Sequence, residues 1–467
     1  MTRKTHARTV PIVVAGVVLA GLLALSGYFW VERYRVQAER LMENRDWASA
    51  RTALTSYLRF HPAHASARLM MAESLIRDHK LSGEEKVEAA LEQLRQIADD
   101  SPRAAEARLQ EGRLYLLLRL QPGRAERSFL RSLAIEPDRA ETRILLWKLY
   151  DLTNRWDSAE DHFWTLCQQS PASDRAALLR DWYLSEFSPG TANLELSRRM
   201  GLLGVNEAPD VFSDRKRLEA FVASEPDWPE GYALLARWLH HQGGLQQASQ
   251  QLDQAEKLPN GAQTPLVIAT RVAVCLEMGE FNRARQALQN WPEPRDGYEY
   301  WKTVGLIADQ VQRDNLAACQ AFEKAIRTTA GKSDWLIQHR LSQCLLRSGK
   351  TDEAARIRQQ SKQVELLMEA PVHTGLRRAL LTPRAPETLS RMIELYQQLG
   401  RDREVAAWRE LTPVSEHDKL TPSDGQVDGR EDGQVENRAD SQVRDRPFSD
   451  PPDSTAPRSK AVDPATH

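Results

Sequence analysis

A recurrence constrains this chain more than anything else in it. A small residue, larger apolar residues about a helical turn further on and a closing proline return repeatedly. They appear as Ala50, Leu54, Tyr57 and Pro62, then as Ala90, Leu94, Ile97 and Pro102. Ala125, Phe129 and Pro137 follow, and then Ala159, Phe163, Leu166 and Pro171. Such spacing places the side chains on one face of a helix, and proline stops each run because it has no N–H and its ring clashes with the preceding turn. A second small position follows Pro62 at Ala72 and Pro102 at Gly112. The pattern is clearest from Arg103 to Pro137, which reads as two short helices joined at Gln121-Pro122-Gly123. Leu109, Gly112 and Tyr115 share a face of the first, and Ala125, Phe129 and Ala134 a face of the second. Gly112 is small where one helix crosses the other.

The pattern lapses and then resumes. Trp147 is large where a small residue is expected, so the packing there must differ, and Asp181 fills the corresponding slot after Pro171. Ser188-Pro189-Gly190 and the stretch from Gly201 to Pro209 break the periodicity. A second run brings Leu218, Phe221 and Pro226, then Ala236, Ala248 and Leu252, then Ala284, Leu288 and Trp291. Trp301, Val304 and Gly305 come next, followed by Ala318, Phe322 and Ala325, then Ser342, Leu345 and Ala354. A last, weaker pair occupies Glu387 to Leu411.

This recurrence resembles the tetratricopeptide repeat (TPR), whose W-x2-L-G opening is closely matched by Trp301, Val304 and Gly305. The resemblance implies an all-α, TPR-like α-solenoid of antiparallel helix pairs, with roughly nine units across residues 31–411. Helix pairs of this kind cannot bury their apolar faces alone, so stacking supplies the core. The expected divisions are a first array at 31–171, a degenerate repeat or joint at 172–210 and a second array at 211–362. A linker and final helical hairpin at 363–411 complete the helical part.

The two ends read differently. Residues 1–9 form a basic tail, and from Pro11 to Trp30 the chain is uncharged and almost wholly apolar. Twenty residues at about 1.5 Å each span about 30 Å, the thickness of a bilayer's hydrocarbon. Tyr28, Phe29 and Trp30 close the stretch with aromatics suited to a membrane interface. The expectation is a transmembrane helix at 10–30, with the N-terminus cytoplasmic and the repeats periplasmic or otherwise extracytoplasmic. A cleaved signal peptide ending near Ala24-Leu25-Ser26 is the competing reading. Residues 412–467 are acidic, low in large apolar residues and repetitive in DGQV, so a disordered tail is expected.

Chemistry-bearing motifs are missing. Net charge is -2 over 467 residues, which offers no general attraction to nucleic acid. Cys167, Cys275, Cys319 and Cys344 lack redox or zinc spacing and read as small core residues, with a Cys319–Cys344 disulfide left open. Adjacent His240 and His241 point in different directions on a helix and do not share a metal. Most acidic residues fall at helical spacing from arginine, which reads as a solvated face. No nucleotide loop, zinc-protease motif or nucleophile elbow occurs. Neither an enzyme nor a bound cofactor or metal is expected.

Binding remains. The TPR family lines its concave surface mainly with the first helix of each pair. Carried onto this chain, that implies peptide-groove candidates at Leu109, Arg113 and Leu116, at Ile144, Lys148 and Leu152, and at Arg237 and Lys302. Glu106, Glu141 and Asp151 fall on the same surface. The Lys/Asn carboxylate clamp of some family members has no counterpart at Leu109 and Arg113 or at Ile144 and Lys148. The expected role is a membrane-anchored scaffold for protein–protein interactions at the cell envelope, holding one or more proteins or peptides in that groove. An envelope chaperone or assembly factor with many clients is the alternative, and a regulatory anchor of an enzyme a more distant one.

Overall fold

The computed structural model describes residues 29–153, 155–187 and 214–412. Two compact units are distinguished, Met1–Pro413 and Val414–His467, and every described residue belongs to the first. The tail expected at 412–467 and most of the loop-like part of the joint therefore fall outside the described residues.

The described residues are helical, with no strand among them. Four hairpins come first: α1 (29–43) with α2 (Trp47–Phe60), α3 (Ala65–Arg77) with α4 (Gly83–Arg95), α5 (Ala104–Leu117) with α6 (Pro122–Ile135), and α7 (Ala140–Leu152) with α8 (Trp156–Gln169). Then come α9 (Ala172–Phe187) and, past an undescribed stretch, α10 (Asp214–Ser224). The second series is α11 (Pro229–His241) with α12 (Leu245–Lys257), α13 (Pro265–Met278) with α14 (Phe281–Gln289), and α15 (Tyr298–Ile307) with α16 (Asn315–Ala325). Short α17 (Thr329–Ser333) precedes α18 (Trp335–Arg347) with α19 (Thr351–Leu367). Finally α20 (Ala370–Ala379) leads to α21 (Pro386–Gln398) and α22 (Asp402–Arg409).

The punctuation follows from side-chain chemistry. Helices α2, α4, α6 and α8 end before Pro62, Pro102, Pro137 and Pro171. Pro122, Pro229, Pro265 and Pro386 instead open helices, where an N–H has no partner to lose. Asp46, Asp314 and Asp334 cap their helices by accepting a backbone N–H from Ser49, Ala317 and Ile337.

Two hairpins close on a glycine. A Cβ added to Gly112 would lie 2.3 Å from the Phe129 ring, and one added to Gly305 would lie 2.4 Å from the Phe322 ring. Both phenylalanines are fully buried. Where Trp147 replaces the small residue, Phe163 cannot lie flat against the backbone. It tilts against Trp147, with centroids 5.1 Å apart, and stacks on Trp182 of α9 at 4.4 Å. All four cysteines are buried and free.

Nearest-neighbour stacking alone does not describe the unit. The second series touches the first at several points distant in sequence. Fully buried Glu225 accepts the Gly123 N–H at 2.7 Å across 102 residues, and Trp228 lies against Gly123. Asp157 accepts the Tyr298 N–H at 3.2 Å, and Glu160 accepts the Thr329 hydroxyl at 2.8 Å. At the far end α20 to α22 pack on α9, sharing one apolar cluster that contains Trp182, Tyr183, Leu376, Met392 and Trp408. Arg401, 1% exposed, pairs there with Glu186 of α9 and with Glu404.

Two expectations are corrected. Arginines spaced three residues from glutamate are not uniformly solvated, because Arg108 with Glu111 and Arg401 with Glu404 are buried pairs. The single-pass membrane localisation is withdrawn as well: among the described residues no helix is long and apolar enough to cross a membrane. Residues 10–28, on which that expectation mainly rested, lie outside the described residues. Trp30, assigned above to a membrane interface, sits in a repeat helix with its ring 5.2 Å from Tyr34 and 6.0 Å from Phe60.

The glycine contacts set a stability test. Gly112→Leu and Gly305→Leu should each lower the unfolding free energy by about 1–3 kcal/mol through overpacking. Gly83→Leu, where an added Cβ meets nothing within 4 Å, serves as the control and should cost far less. Urea unfolding of the three variants reads the difference.

Candidate functional site

Helices α5 and α7, each the first helix of its hairpin, carry six of the expected groove residues. Leu109 and Leu116 are buried in the core cluster, and Ile144 packs partly buried against it. Leu152 belongs to α7, but its side chain lies outside the described residues. The two cations are also drawn in. Arg113, 8% exposed, gives its guanidinium to Glu141 on the next inner helix. Lys148, 7% exposed, donates to the Ser185 hydroxyl at 2.9 Å and lies 3.8 Å from the Trp147 ring centroid.

The second series follows the same rule. Arg237 meets Glu299 at 3.0 Å, and Lys302 meets Asp334 at 3.2 Å while donating to the Tyr298 hydroxyl at 3.0 Å. His240 lies 2.9 Å from Glu277. Inner-face cations thus join one repeat to another. Truncating one partner of such a pair leaves a poorly solvated charge behind.

A more open surface lies one and two repeats earlier, on the equivalent first helices. A cavity of about 390 Å³ is lined by Arg35 and Glu39 of α1, by His64, Ser66, Leu69, Met70 and Glu73 at α3, and by Arg103 and Glu106 at α5. Leu69 and Met70, both partly buried, supply its apolar lining, and most of the remaining lining is polar or charged. Arg35 pairs with both Glu32 and Glu39, and Arg103 with Glu106. His64 caps α3 by accepting the Ala67 N–H at 3.2 Å and sets its ring edge-on to Tyr57 at 5.2 Å. Burial, and then the charge of Arg35, pushes the His64 pKa below its ordinary value.

Sequence reasoning carried the inner-face rule to the third repeat but not to the two before it. With Gly112 aligned on Ala72, Glu106 falls on Ser66, Leu109 on Leu69 and Arg113 on Glu73. Aligned on buried Ala38, the same positions become Glu32, Arg35 and Glu39. The signal was therefore present. Nothing here resembles a reaction centre, and among the described residues no group of three His, Cys, Asp or Glu is placed to hold a metal.

No known protein-family profile matches the chain, and no curated protein matches it. Solved structures similar to it include the APC/C hetero-tetramer Cut9–Hcn1, at 14% identity and TM-score 0.34, covering 80% of this chain and 88% of that one. The human IFIT1 dimer with m7Gppp-AAAA is similar at 13% identity and TM-score 0.29, covering 73% and 98%. The TPR domain of P58(IPK) is similar at 16% identity and TM-score 0.20, covering 82% and 98%. Scores this low carry no argument, so the fold rests on the chain's own helices.

Asp151, beside Lys148 on the inner face, supplies a pH test. Burial pushes its carboxyl up to about 6, against the opposing pull of Lys148 and a hydrogen bond with Ser185. A carboxyl whose folded pKa is raised binds its proton more tightly when folded. Its contribution to stability is therefore present at low pH and lost as pH rises from the ordinary carboxylate range through about 6. Asp151→Asn should remove that fall, so the wild-type minus variant difference in melting temperature should change across this window and be flat above it.

Proposed function

We propose that the chain is a helical-repeat scaffold for protein–protein interactions that takes an extended or helical segment of a partner protein in the groove of α1, α3 and α5. The observation that carries this reading is a cavity that brings the apolar side chains of Leu69 and Met70 together with the charged pairs Arg35 with Glu39 and Arg103 with Glu106. Burial of an apolar anchor against those side chains supplies affinity, and the charged pairs select orientation and partner. Arg113, Lys148, Arg237 and Lys302 then act from behind the surface, fixing the relation of one inner helix to the next. A preset groove spares the partner the cost of ordering it.

The test compares two faces of the same hairpins. A photo-crosslinking amino acid placed at Met70 should label one partner stoichiometrically, whereas the same group at exposed Thr52 on α2 should not. Arg35→Glu combined with Arg103→Glu should reduce recovery about ten-fold, as expected when both cations are reversed. Equal labelling from Met70 and Thr52 would sink the proposal. Many unrelated proteins captured from Met70 alone would favour a chaperone acting through the same groove.

A further inference from the structure

A second cavity, of about 480 Å³, lies in the α15–α16 hairpin and is lined by Pro294, Arg295, Asp296, Trp301, Lys324, Arg327 and Thr328. Its chemistry differs from that of the groove. Three of its side chains are cationic and one is acidic, and the acid is already engaged, because Asp296 accepts the Trp301 indole N–H at 2.6 Å. That bond fixes the indole ring. Lys324 lies over the ring, with Nζ 3.7 Å from its centroid. Arg295 reaches the strongly exposed Glu293 at 3.3 Å.

Lys324 and Arg327 are both exposed, and neither has a carboxylate within ion-pairing distance among the described residues. Neighbouring cations behave otherwise, since Lys302 pairs with Asp334 and Arg347 with Asp309. Like charges gathered around one cavity repel one another, and an anion placed among them relieves that repulsion. Arginine presents its donors as a planar fork that matches a carboxylate, and a lysine held on an indole face loses less freedom when it binds.

We infer that this cavity recognises an acidic segment of a partner protein, with a carboxylate side chain seated between Lys324 and Arg327 and its apolar stem against Trp301 and Pro294. The chemistry favours a peptide over a free ion, because the cations stand beside the apolar surfaces of Trp301 and Pro294, which suit a side chain that carries both a carboxylate and a carbon stem. A small oxyanion would leave those apolar surfaces unused. The site is on a different hairpin from the Leu69–Met70 groove and does not depend on that groove being occupied.

Binding is measured with the full chain and fluorescein-labelled hexaglutamate, by fluorescence polarisation at low salt, with hexaglutamine as the neutral peptide. Saturable binding of hexaglutamate is expected, weakening as salt rises. Lys324→Glu with Arg327→Glu should weaken it at least about ten-fold, in keeping with loss of charge-assisted contacts. Lys324→Gln with Arg327→Gln should weaken it less, and a helical spectrum unchanged from the parent certifies each variant. Arg285→Glu with Lys257→Glu, which alters net charge equally elsewhere, should leave it unchanged. No saturable binding, or equal loss in the control pair, overturns the inference. So does displacement by inorganic phosphate at an ionic strength where chloride does not displace, which would assign the cavity to a free oxyanion. Arg35→Glu with Arg103→Glu should leave this affinity intact, so failure here and failure of the groove are read separately.

Discussion

The contact between a phenylalanine ring and a helix backbone bare of side chain is what the rest of this structure depends on. Phe129 against Gly112 and Phe322 against Gly305 occupy the space where a Cβ would stand. Close approach brings two helices into one compact hairpin, and the hairpin then presents an inner helix whose outward residues are free to meet a neighbour. The charged links between inner helices, Arg113 to Glu141 and Lys302 to Asp334, are consequences of that spacing. Where the small residue is replaced, as at Trp147, the protein compensates by enlarging the aromatic cluster through Trp182, and that commits α9 to the first series.

Charge is used inside this fold as well as on it. Arg271, 1% exposed, holds Asp253 at 2.7 Å and Glu256 at 2.6 Å, and Arg401 holds Glu186 and Glu404. A pair buried on both sides, as Arg401 with Glu404 is, adds little net stability over an apolar alternative, but breaking it from a single side costs about 3–5 kcal/mol. Such pairs therefore act as registers. A hairpin docked one turn out of place would strand a guanidinium among apolar groups, so each pair penalises the wrong arrangement more than it rewards the right one.

The local architecture was legible because its causes are local. Pro62, Pro102, Pro137 and Pro171 end helices for reasons contained in the proline ring, and the departure at Trp147 was visible as a size conflict. The contacts between the two series were not legible. Glu225 with Gly123 and Arg401 with Glu186 join residues 102 and 215 positions apart, and such pairing leaves no periodic trace. Arg401 looks in sequence like any surface arginine. The cations were legible only in part: the family rule picked out Arg113 and Lys148 on α5 and α7, but not that Glu141 and Ser185 engage them. A cation facing a cleft and one facing the next helix look alike in sequence, because the difference lies in the partner helix. The apolar N-terminal stretch shows the opposite danger, since hydropathy and length alone led to a localisation that the described helices do not bear out.

The docking of α20 to α22 on α9 also imposes an order in time. Trp182 and its partner Glu404 are 222 residues apart, so α9 leaves the ribosome long before the segment that covers it. At roughly 5–20 residues per second, Trp182 and Tyr183 wait on the order of ten to forty seconds for Met392 and Trp408. During that interval a nascent first series ends in an uncovered aromatic face. Completion of the amino-terminal half is thus deferred to α20 to α22, and a truncation before α20 leaves that face without its cover.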